Sequence, residues 1–379
     1  MDFLHRTWAE IDLNALVHNF NLIKSMTNGK KIMAVVKANA YGHNVSDIAS
    51  VLDKLGTDSF AVSNIDEALQ LRELGINKPI LILGYTPVAL AKTLSENNIS
   101  QCVYSEEYAV MLSQFAQSQN VNVSIHIKID TGMSRLGFDC RNDNLNGISS
   151  AIYSAKLQNL ILNGIFTHFS VSDRTELAED GFTDQQYSRF IKSIEIFKSN
   201  GLNPELCHCA NSGAIINDCE KHLDITRPGI ILYGIEPDNS PESKRGFIPV
   251  MTLKSVVSMV KEITAGDTVS YGRTYKSDKN IKVATISAGY ADGYPRLLSN
   301  KAYVLINGKK AKILGRVCMD QFVVDVSNID DVKIGNEVIL FGKELPVNEF
   351  AEMASTIGYE IVCGISPRVP RIIIGRDSL

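Results

Sequence analysis

Residues 31–56 read KIMAVVKANAYGHNVSDIASVLDKLG, and this stretch contains the structural unit that the N-terminal part of the chain repeats. The apolar, β-branched run at its start is typical of a strand buried on both faces, and the segment from Val45 onward has helical spacing. Lys37 ends the strand and is followed by a glycine-containing turn. A lysine is rarely buried without a partner, so the group that Lys37 binds becomes the first question about this chain.

The same alternation of strand and helix continues to about residue 235. Seven further apolar runs follow: SFAVSN, PILILGY, ISQCVYS, NVSIHIKID, LILNGIFTHFS, ELCHCANS and DITRPGIILYG. Amphipathic segments such as NIDEALQLRELG, EEYAVMLSQFAQ and DQQYSRFIKSIEIFKSNG lie between them. Eight strand and helix repeats indicate an α/β fold built on a parallel (β/α)8 TIM-type barrel, with an open doubly wound sheet as the alternative topology.

The pattern changes after GIEPDNSPESKRG, which has the composition of a linker. The runs VMTLKSVVSMVKEI, KVATISAGYA, AYVLINGKKAKILG, FVVDVSNI and EVILFG are typical of strands, and Asn307-Gly308 is a strong hairpin signal. One helix is predicted, in VNEFAEMASTIG. The sequence therefore predicts a barrel over residues 1–238 and a mainly-β domain over residues 239–379.

The composition is that of an ordinary globular protein. The 379 residues carry a net charge of -4 and are 45% hydrophobic, so there is no basic excess that would indicate nucleic acid as a partner. The seven cysteines form no CxxC pair, no apolar leader follows MDFLHRTWAE, and no apolar segment is long enough to span a bilayer. We therefore expect a cytoplasmic protein without a membrane partner.

In a barrel of this type the functional groups lie at the carboxyl ends of the strands. Residues of reactive types occur at these places: Lys37, Lys128, Asp130, Arg135, His168, Asn211, Ser212, Arg227 and Gly229. Desolvation lowers the pKa of a lysine, and a partly neutral amine attacks an aldehyde. An ion pair between Lys37 and Asp130 is the structural alternative.

The last two strands suggest what the lysine binds. Ser212 in ANSGA and Gly229 in RPGI stand where barrels commonly hold a phosphate, although a helix cap and a tight turn would also explain them. A lysine and a phosphate site together point to pyridoxal phosphate, an aldehyde that carries a phosphate. The CHC triplet at Cys207 to Cys209 is better explained by buried small residues than by zinc, and we expect no metal.

Several motifs together resemble the alanine racemase family, and the resemblance runs almost from end to end. They are AVVKANAYGHN, KIDTGMSRLGF, THFS, ANSGA, TRPGI, VSYGRTY, GRVCMDQFVVDVS and IGYEIVCGISPRVPR. The resemblance implies a pyridoxal phosphate-dependent homodimer whose active sites take residues from both protomers. It also implies that the enzyme interconverts L-alanine and D-alanine and supplies D-alanine for peptidoglycan.

Racemisation removes the Cα proton from one face and returns a proton to the other, so two bases are needed. The resemblance assigns one face to Lys37 and the other to Tyr271 of the partner protomer. A phenol is a weak base at neutral pH, and the resemblance gives His168 and Arg227 the role of supporting its anion. Arg227 would also face the pyridine nitrogen of the cofactor and keep it unprotonated, which favours racemisation over transamination.

The remaining assignments also follow from the resemblance. The residues implied in binding the cofactor are Lys37, Tyr41, His168, Asn211, Ser212, Arg227, Gly229, Ile230 and Tyr359. Arg135, the backbone at Met319, and Tyr290 at the entrance are implied in binding the substrate. Lys128 matches a lysine that is carbamylated in the family, and an unmodified lysine paired with a carboxylate is the alternative.

Three positions depart from the family pattern, namely Asn44, Gly213 and Gly358. Asparagine tolerates positive φ, so the turn at Asn44 should survive, and the two glycines could loosen the site. Tyr359 is retained, which favours alanine over serine as substrate. The alternatives are a serine or broad-specificity racemase, a non-catalytic pyridoxal phosphate carrier, a cofactor-free aldolase and a decarboxylase. Asp292 in GYADGYPR has the composition of a turn residue rather than of a catalytic acid.

Overall fold

The computed structural model describes residues 6–173, 181–240 and 245–375. The chain forms two compact units that do not follow the order of the sequence. One unit comprises Phe20–Ala40 and Val45–Leu232; the other comprises Met1–Asn19, Tyr41–Asn44 and Tyr233–Leu379.

The first unit is a barrel of parallel strands. In spatial order they are Ile225–Thr226, Lys31–Val35, Ser59–Val62, Ile80–Ile82, Ile99–Val103, Val123–Asp130, Leu160–Phe166 and Leu206–His208. The amides of Asp224 and Arg227 donate to the carbonyls of Cys207 and Ala210, which joins the last strand to the first. The predicted (β/α)8 barrel is therefore confirmed, and each of its strands lies within one of the eight apolar runs.

Four helices of this unit fall in segments that the sequence predicts as amphipathic, namely Val45–Lys54, Ile65–Glu73, Glu106–Ser118 and Phe182–Ser199. The shorter helices Ala91–Glu96, Ile148–Ala155 and Ser212–Asn217 also belong to it, while Leu13–Met26 contributes residues to both units. Three of these helices begin with side-chain caps, because Asn64 accepts from the Glu67 amide, Ser105 from the Tyr108 amide and Asn211 from the Ala214 amide.

The second unit is mainly β. Its larger sheet contains Ile281–Ile286, Phe322–Asp325, Lys309–Leu314, Tyr303–Ile306, Glu337–Phe341, Met251–Ile263, Thr7–Asp12 and Arg371–Ile374, in that order. The long strand Met251–Ile263 also pairs with Ile281–Ile286, so the first six strands close into a ring. Thr268–Val269 and Tyr275–Lys276 form a separate two-stranded ladder. The mainly-β character and the hairpin at Asn307-Gly308 are confirmed.

Two features of this unit differ from the sequence-based predictions. The strand Thr7–Asp12 pairs with Met251–Ile263 and Arg371–Ile374, so these residues lie with the β unit although the predicted barrel domain begins at residue 1. The helix predicted in VNEFAEMASTIG is present as Val347–Met353 and ends earlier than that segment, and a second helix that the sequence analysis did not predict, Gly358–Cys363, follows it. Ser355 between them adopts φ 57°, a left-handed conformation that a right-handed helix does not accommodate.

Candidate active site

Reactive side chains from neighbouring barrel strands lie side by side. The strand register aligns Lys128 with Phe166, and Phe166 in turn with His208. Phe166 stacks on the His208 ring at 4.8 Å, and the Lys128 Nζ lies 4.6 Å from the centre of the Phe166 ring. The carboxyl ends of these strands therefore form one chemical environment, as the barrel prediction requires.

Arg227 is the buried cation of this environment. It is 4% exposed, and its guanidinium contacts His208 Nδ1 at 2.7 Å and donates to the carbonyls of Thr167 and Cys209 at 2.8 and 3.0 Å. Its Nη2 lies 3.4 Å from His168 Nδ1, so the structure brings these two predicted site residues together. Burial lowers the pKa of Arg227 to about 10, which leaves it charged at neutral pH.

His168 lies among cations. Burial, followed by the charges of Lys128 and Arg227, holds the pKa of His168 well below its usual value. Arg135 and Lys37 act in the same direction, which places their charges in the same neighbourhood. The His168 imidazole is therefore neutral at physiological pH.

Lys128 is a buried amine. Burial, and secondarily the charge of Arg227, lower the pKa of Lys128 to about 7. Cys102 and Asp130 act in the opposite direction and raise the pKa of Lys128. Arg135, whose side chain is exposed, lowers it further. A substantial fraction of Lys128 is therefore neutral at physiological pH.

The predicted phosphate-binding residues also meet. The Gly229 amide donates to Ser212 Oγ at 3.0 Å, and Ile230 begins the 3-10 turn Ile230–Tyr233. Asn211 caps the helix Ser212–Asn217 by accepting from the Ala214 amide at 3.1 Å. This cluster offers a hydroxyl and backbone N–H groups at the beginning of two helical turns, a donor set that suits a phosphate.

Two of the positions that depart from the family pattern are glycines, Gly213 and Gly358, and both lie close to neighbouring atoms. A Cβ on Gly213 would come within 2.8 Å of the backbone of Ser172 and Asp173, and one on Gly358 would come within 2.3 Å of Asn348 Oδ1. Both positions are therefore tightly packed, and the glycines do not loosen the site. The third position, Asn44, adopts φ 77°, a positive value that asparagine tolerates, as the sequence analysis predicts.

The second unit contains the other predicted residues in two places. The rings of Tyr41 and Tyr359 lie 6.2 Å apart. Tyr271 and Met319 line one surface concavity, and the Tyr290 amide donates to the Cys318 carbonyl beside it at 3.0 Å. Tyr271, Met319 and Tyr290 are 72%, 52% and 43% exposed, so three large side chains are exposed around this concavity.

Two domain families match the chain. The alanine racemase N-terminal domain matches residues 11–237, and the alanine racemase C-terminal domain matches residues 250–373. The chain belongs to the alanine racemase family. It is accordingly an amino-acid racemase, an isomerase, and the resemblance identified from its motifs is confirmed.

Relatives in this family are similar over their full length. The alanine racemase of Clostridium perfringens SM101 is 47% identical over 370 residues, which cover 96% of this chain and 94% of that protein. That of Clostridium tetani is 42% identical over 99% of this chain and 97% of that protein. The solved alanine racemase of Clostridium difficile 630 is 37% identical to this chain and superposes with a TM-score of 0.91. The match covers 98% of this chain and 97% of that one. The alanine racemase of Bacillus anthracis, solved with bound L-Ala-P, is 34% identical and superposes with a TM-score of 0.88. That match covers 99% of this chain and 97% of the other.

The first family motif contains a left-handed turn. Ala38, Asn39 and Ala40 have φ and ψ near 50°, and Tyr41 follows with φ 52°. Such a conformation costs roughly 1–2 kcal/mol for each residue that is not glycine. The barrel side of the turn is fixed by side chains, because Glu67 accepts from the Ala38 amide at 2.7 Å.

Sequence reasoning did not identify Glu67 as a positioning residue. Its second carboxylate oxygen accepts from the Ser63 amide at 2.7 Å, so one carboxylate joins the loops that follow two neighbouring barrel strands. A glutamate in the first turn of a helix gives no such signal, because helix N-termini attract acidic residues anyway.

Sequence reasoning also does not predict the buried histidine pair next to Arg227, His126 and His208, which we call the imidazole relay. Arginine can only donate, so His208 Nδ1 accepts and its Nε2 carries the proton, which points at His126 Nδ1 at 2.9 Å. His126 then accepts in turn, and both rings are neutral. Strand periodicity could have revealed His126, because it shares a face of its strand with Lys128 and Asp130.

Asp292 has a larger structural role than its turn-like sequence indicates. It lies in the 3-10 turn Tyr290–Asp292 and is 1% exposed. Its carboxylate accepts from Arg6 at 2.6 Å and from Arg368 at 2.8 Å, and Arg368 also binds Asp320. These ion pairs connect the loop of Tyr290 to the loop of Met319, so Asp292 stabilises the loops and is not a catalytic acid.

The relay predicts acid sensitivity. Burial lowers the pKa of His126 to about 3 and that of His208 in the same direction. The unfolded chain binds these protons below about pH 6.5, whereas the folded chain does not, so stability should fall as the pH decreases from about 6.5 toward 3, by about 1.4 kcal/mol per pH unit and group. Chemical unfolding at several pH values measures this slope. His126→Gln should reduce it and substitution of the exposed His18 should not; equal slopes would contradict the assignment.

The described residues contain no helix that is long and apolar enough to cross a membrane.

Proposed function

We propose that this racemase interconverts L-alanine and D-alanine with pyridoxal 5'-phosphate, using one base from each of two copies of the chain. The observation that carries the proposal is the position of Lys37 at the end of a barrel strand, in an environment whose buried cation is Arg227. The alanine racemases to which the chain is similar along its whole length support the choice of alanine.

The donor set on this chain fits the cofactor. Lys37 would hold its aldehyde, Ser212 with the amides of Gly229 and Ile230 would hold its phosphate, and Arg227 would face its pyridine nitrogen. When bound, pyridoxal phosphate withdraws electrons from the substrate Cα and acidifies the proton there. The roles of Tyr41, Asn211, His168 and Tyr359 in holding the same group rest on the family resemblance.

The chain supplies groups that move the proton. The Lys37 amine takes or returns it on one face of the Cα atom, and the Tyr271 phenol does so on the other. The guanidinium of Arg227 can only donate hydrogen bonds and is charged at neutral pH, so facing the pyridine nitrogen it would keep that nitrogen unprotonated. Such a partner would favour return of the proton to the Cα atom, and so racemisation over transamination.

The exposure of Tyr271 and Met319 supports a homodimer. Both are large side chains on the surface of the β unit, and a second copy would cover them while receiving the phenol. Arg135, the Met319 backbone and Tyr290 would then bind the substrate carboxylate and line the entrance. A cytoplasmic location and a supply of D-alanine to peptidoglycan complete the proposal and rest on the family's usual role.

Exchange of the Cα proton tests the function. The purified chain is incubated in heavy water with L-alanine or L-serine, with and without pyridoxal phosphate, while deuteration and chirality at Cα are followed. Cofactor-dependent deuteration of L-alanine with appearance of D-alanine is expected, and slower reaction with L-serine. Faster reaction with serine would favour the serine racemase, and bound cofactor without exchange would favour a non-catalytic carrier.

Lys128 is expected to form a carbamate. Its neutral amine attacks carbon dioxide, a N–C bond forms, and a proton leaves to water, so a cation becomes an anion beside Arg135 and Arg227. Because burial lowers its pKa to about 7, the reaction should proceed near neutral pH. A carbamate resonance should appear by 13C NMR with labelled bicarbonate. It should vanish in Lys128→Met and persist when the exposed Lys156 is replaced; a resonance that survives in Lys128→Met would contradict the assignment.

A further inference from the structure

Ser270, which directly precedes Tyr271, has a strained backbone. Its φ of 65° and ψ of -178° lie in a region that is occupied almost only by glycine. Arg273, three residues further on, also has a left-handed φ of 51°, whereas Gly272 at φ 72° adopts a conformation that glycine accommodates without strain. A serine at such a position is costly, so another interaction must hold it there.

The hydroxyl of Ser270 makes that interaction. Its Oγ donates to the Arg316 carbonyl at 2.6 Å and lies 3.3 Å from the Cys318 Sγ. The two segments also touch through their backbones, since a Cβ on Gly315 would come within 2.6 Å of the Val269 carbonyl. The side chain of Ser270 therefore joins the segment that contains Tyr271 to the segment that ends in Met319.

The position of the phenol depends on this junction. With 72% of Tyr271 exposed, packing around its ring does little to fix its orientation. The backbone at Ser270 sets the direction in which the Tyr271 ring leaves the chain. On the other side of the junction, Met319 directly follows Cys318. One hydroxyl thus links the two groups that the proposed mechanism places around the substrate.

We propose that Ser270 is a positioning residue for the racemase reaction, which holds Tyr271 in register with Met319 through its bond to the Arg316 carbonyl. This inference rests on the proposed function of Tyr271. The strain and the hydrogen bond have separate consequences: glycine removes both the strain and the bond, whereas alanine removes the bond and keeps the strain.

Three variants test the inference, namely Ser270→Gly, Ser270→Ala and Ser258→Ala. Ser258 is the matched control, because its hydroxyl donates to the Thr285 carbonyl at 3.2 Å and it lies in the strand Met251–Ile263 of the same unit, at the register shift between Val257 and Met259. The thermal midpoint of the chain without cofactor is measured first. We expect it to be equal to or above that of wild type in Ser270→Gly and to fall in Ser270→Ala.

Cα exchange in heavy water is then measured separately from L-alanine and D-alanine. Both Ser270 variants should slow exchange from the enantiomer that Tyr271 serves by about 10- to 100-fold, because small misplacements of a catalytic group have effects of this size. Exchange from the other enantiomer and both rates of Ser258→Ala should stay near wild type.

The outcomes separate the inference from the proposed function. Equal losses for both enantiomers, or no loss in Ser270→Gly, would overturn the positioning role while the wild-type rates still support the racemase. A lower midpoint in Ser270→Gly than in Ser270→Ala would contradict the strain at this residue. Absence of exchange in the wild-type chain would remove the proposed function and the role of Ser270 with it.

Discussion

Tyr271→Phe should slow removal of the Cα proton from one alanine enantiomer by about 10³-fold, the size of effect that general bases supply. Removal from the other enantiomer should change little, because the Lys37 amine serves that face. The ring and its apolar contacts remain, so the substitution deletes a base and leaves the packing intact. Deuterium incorporation at Cα, measured for L-alanine and D-alanine in separate reactions, gives the two rates.

Tyr275→Phe is the matched control for this experiment. Tyr275 lies in the strand Tyr275–Lys276, four residues further along the chain, and is half-buried. Its loss of a hydroxyl should leave both rates near wild type. Equal and mild losses for the two enantiomers in Tyr271→Phe would rule out the assignment of two bases to two faces.

Lys37→Ala should reduce racemisation by at least about 10⁴-fold, since one side chain acts both as the attachment for the cofactor and as a base. The visible absorbance of the protein-bound cofactor should shift or disappear in the same variant. Added methylamine should restore part of the rate, because a free amine can replace the missing base. The rate of D-alanine formation and the absorbance spectrum are measured on the same samples.

The exposed Lys31 provides the control, because it begins the strand that leads to Lys37. Lys31→Ala should keep the absorbance and the rate. A Lys37→Ala variant with nearly normal turnover would exclude Lys37 as attachment and base, and the remaining buried amine of the site, Lys128, would then be the residue to replace.

Most of the fold could be read from the sequence. The eight apolar runs correspond to the eight barrel strands because strands buried on both faces need continuous apolar residues, and these are visible without any tertiary information. The residues of the strand Thr7–Asp12 fall in the predicted barrel domain, because pairing partners 240 or more residues away leave no local trace in the sequence. The sequence does not predict the helix Gly358–Cys363, and nothing in the local composition predicts the left-handed residue Ser355 that separates it from Val347–Met353.

The residues of the proposed site could be named early, but their protonation states could not. Nothing in the sequence indicates that Lys128 and His168 have altered pKa values. Burial, together with the charges of neighbouring cations, lowers the pKa of both. The same environment makes His168 neutral, so the cation beside it is Arg227. Asp292 shows the opposite case, because its turn composition conceals ion pairs to Arg6 and Arg368.

The sequence by itself determined the family, the order of barrel strands along the chain, and the placement of Lys37, Lys128 and His168 at strand ends. These follow from periodicity and from motifs, which are local properties of the chain. The tertiary structure alone decided that His126 and His208 form a neutral relay behind Arg227, and that the strained Ser270 is held by a carbonyl 46 residues away. Hydrogen-bond partners and burial depend on groups that folding brings together from distant positions, so no local pattern in the sequence can specify them.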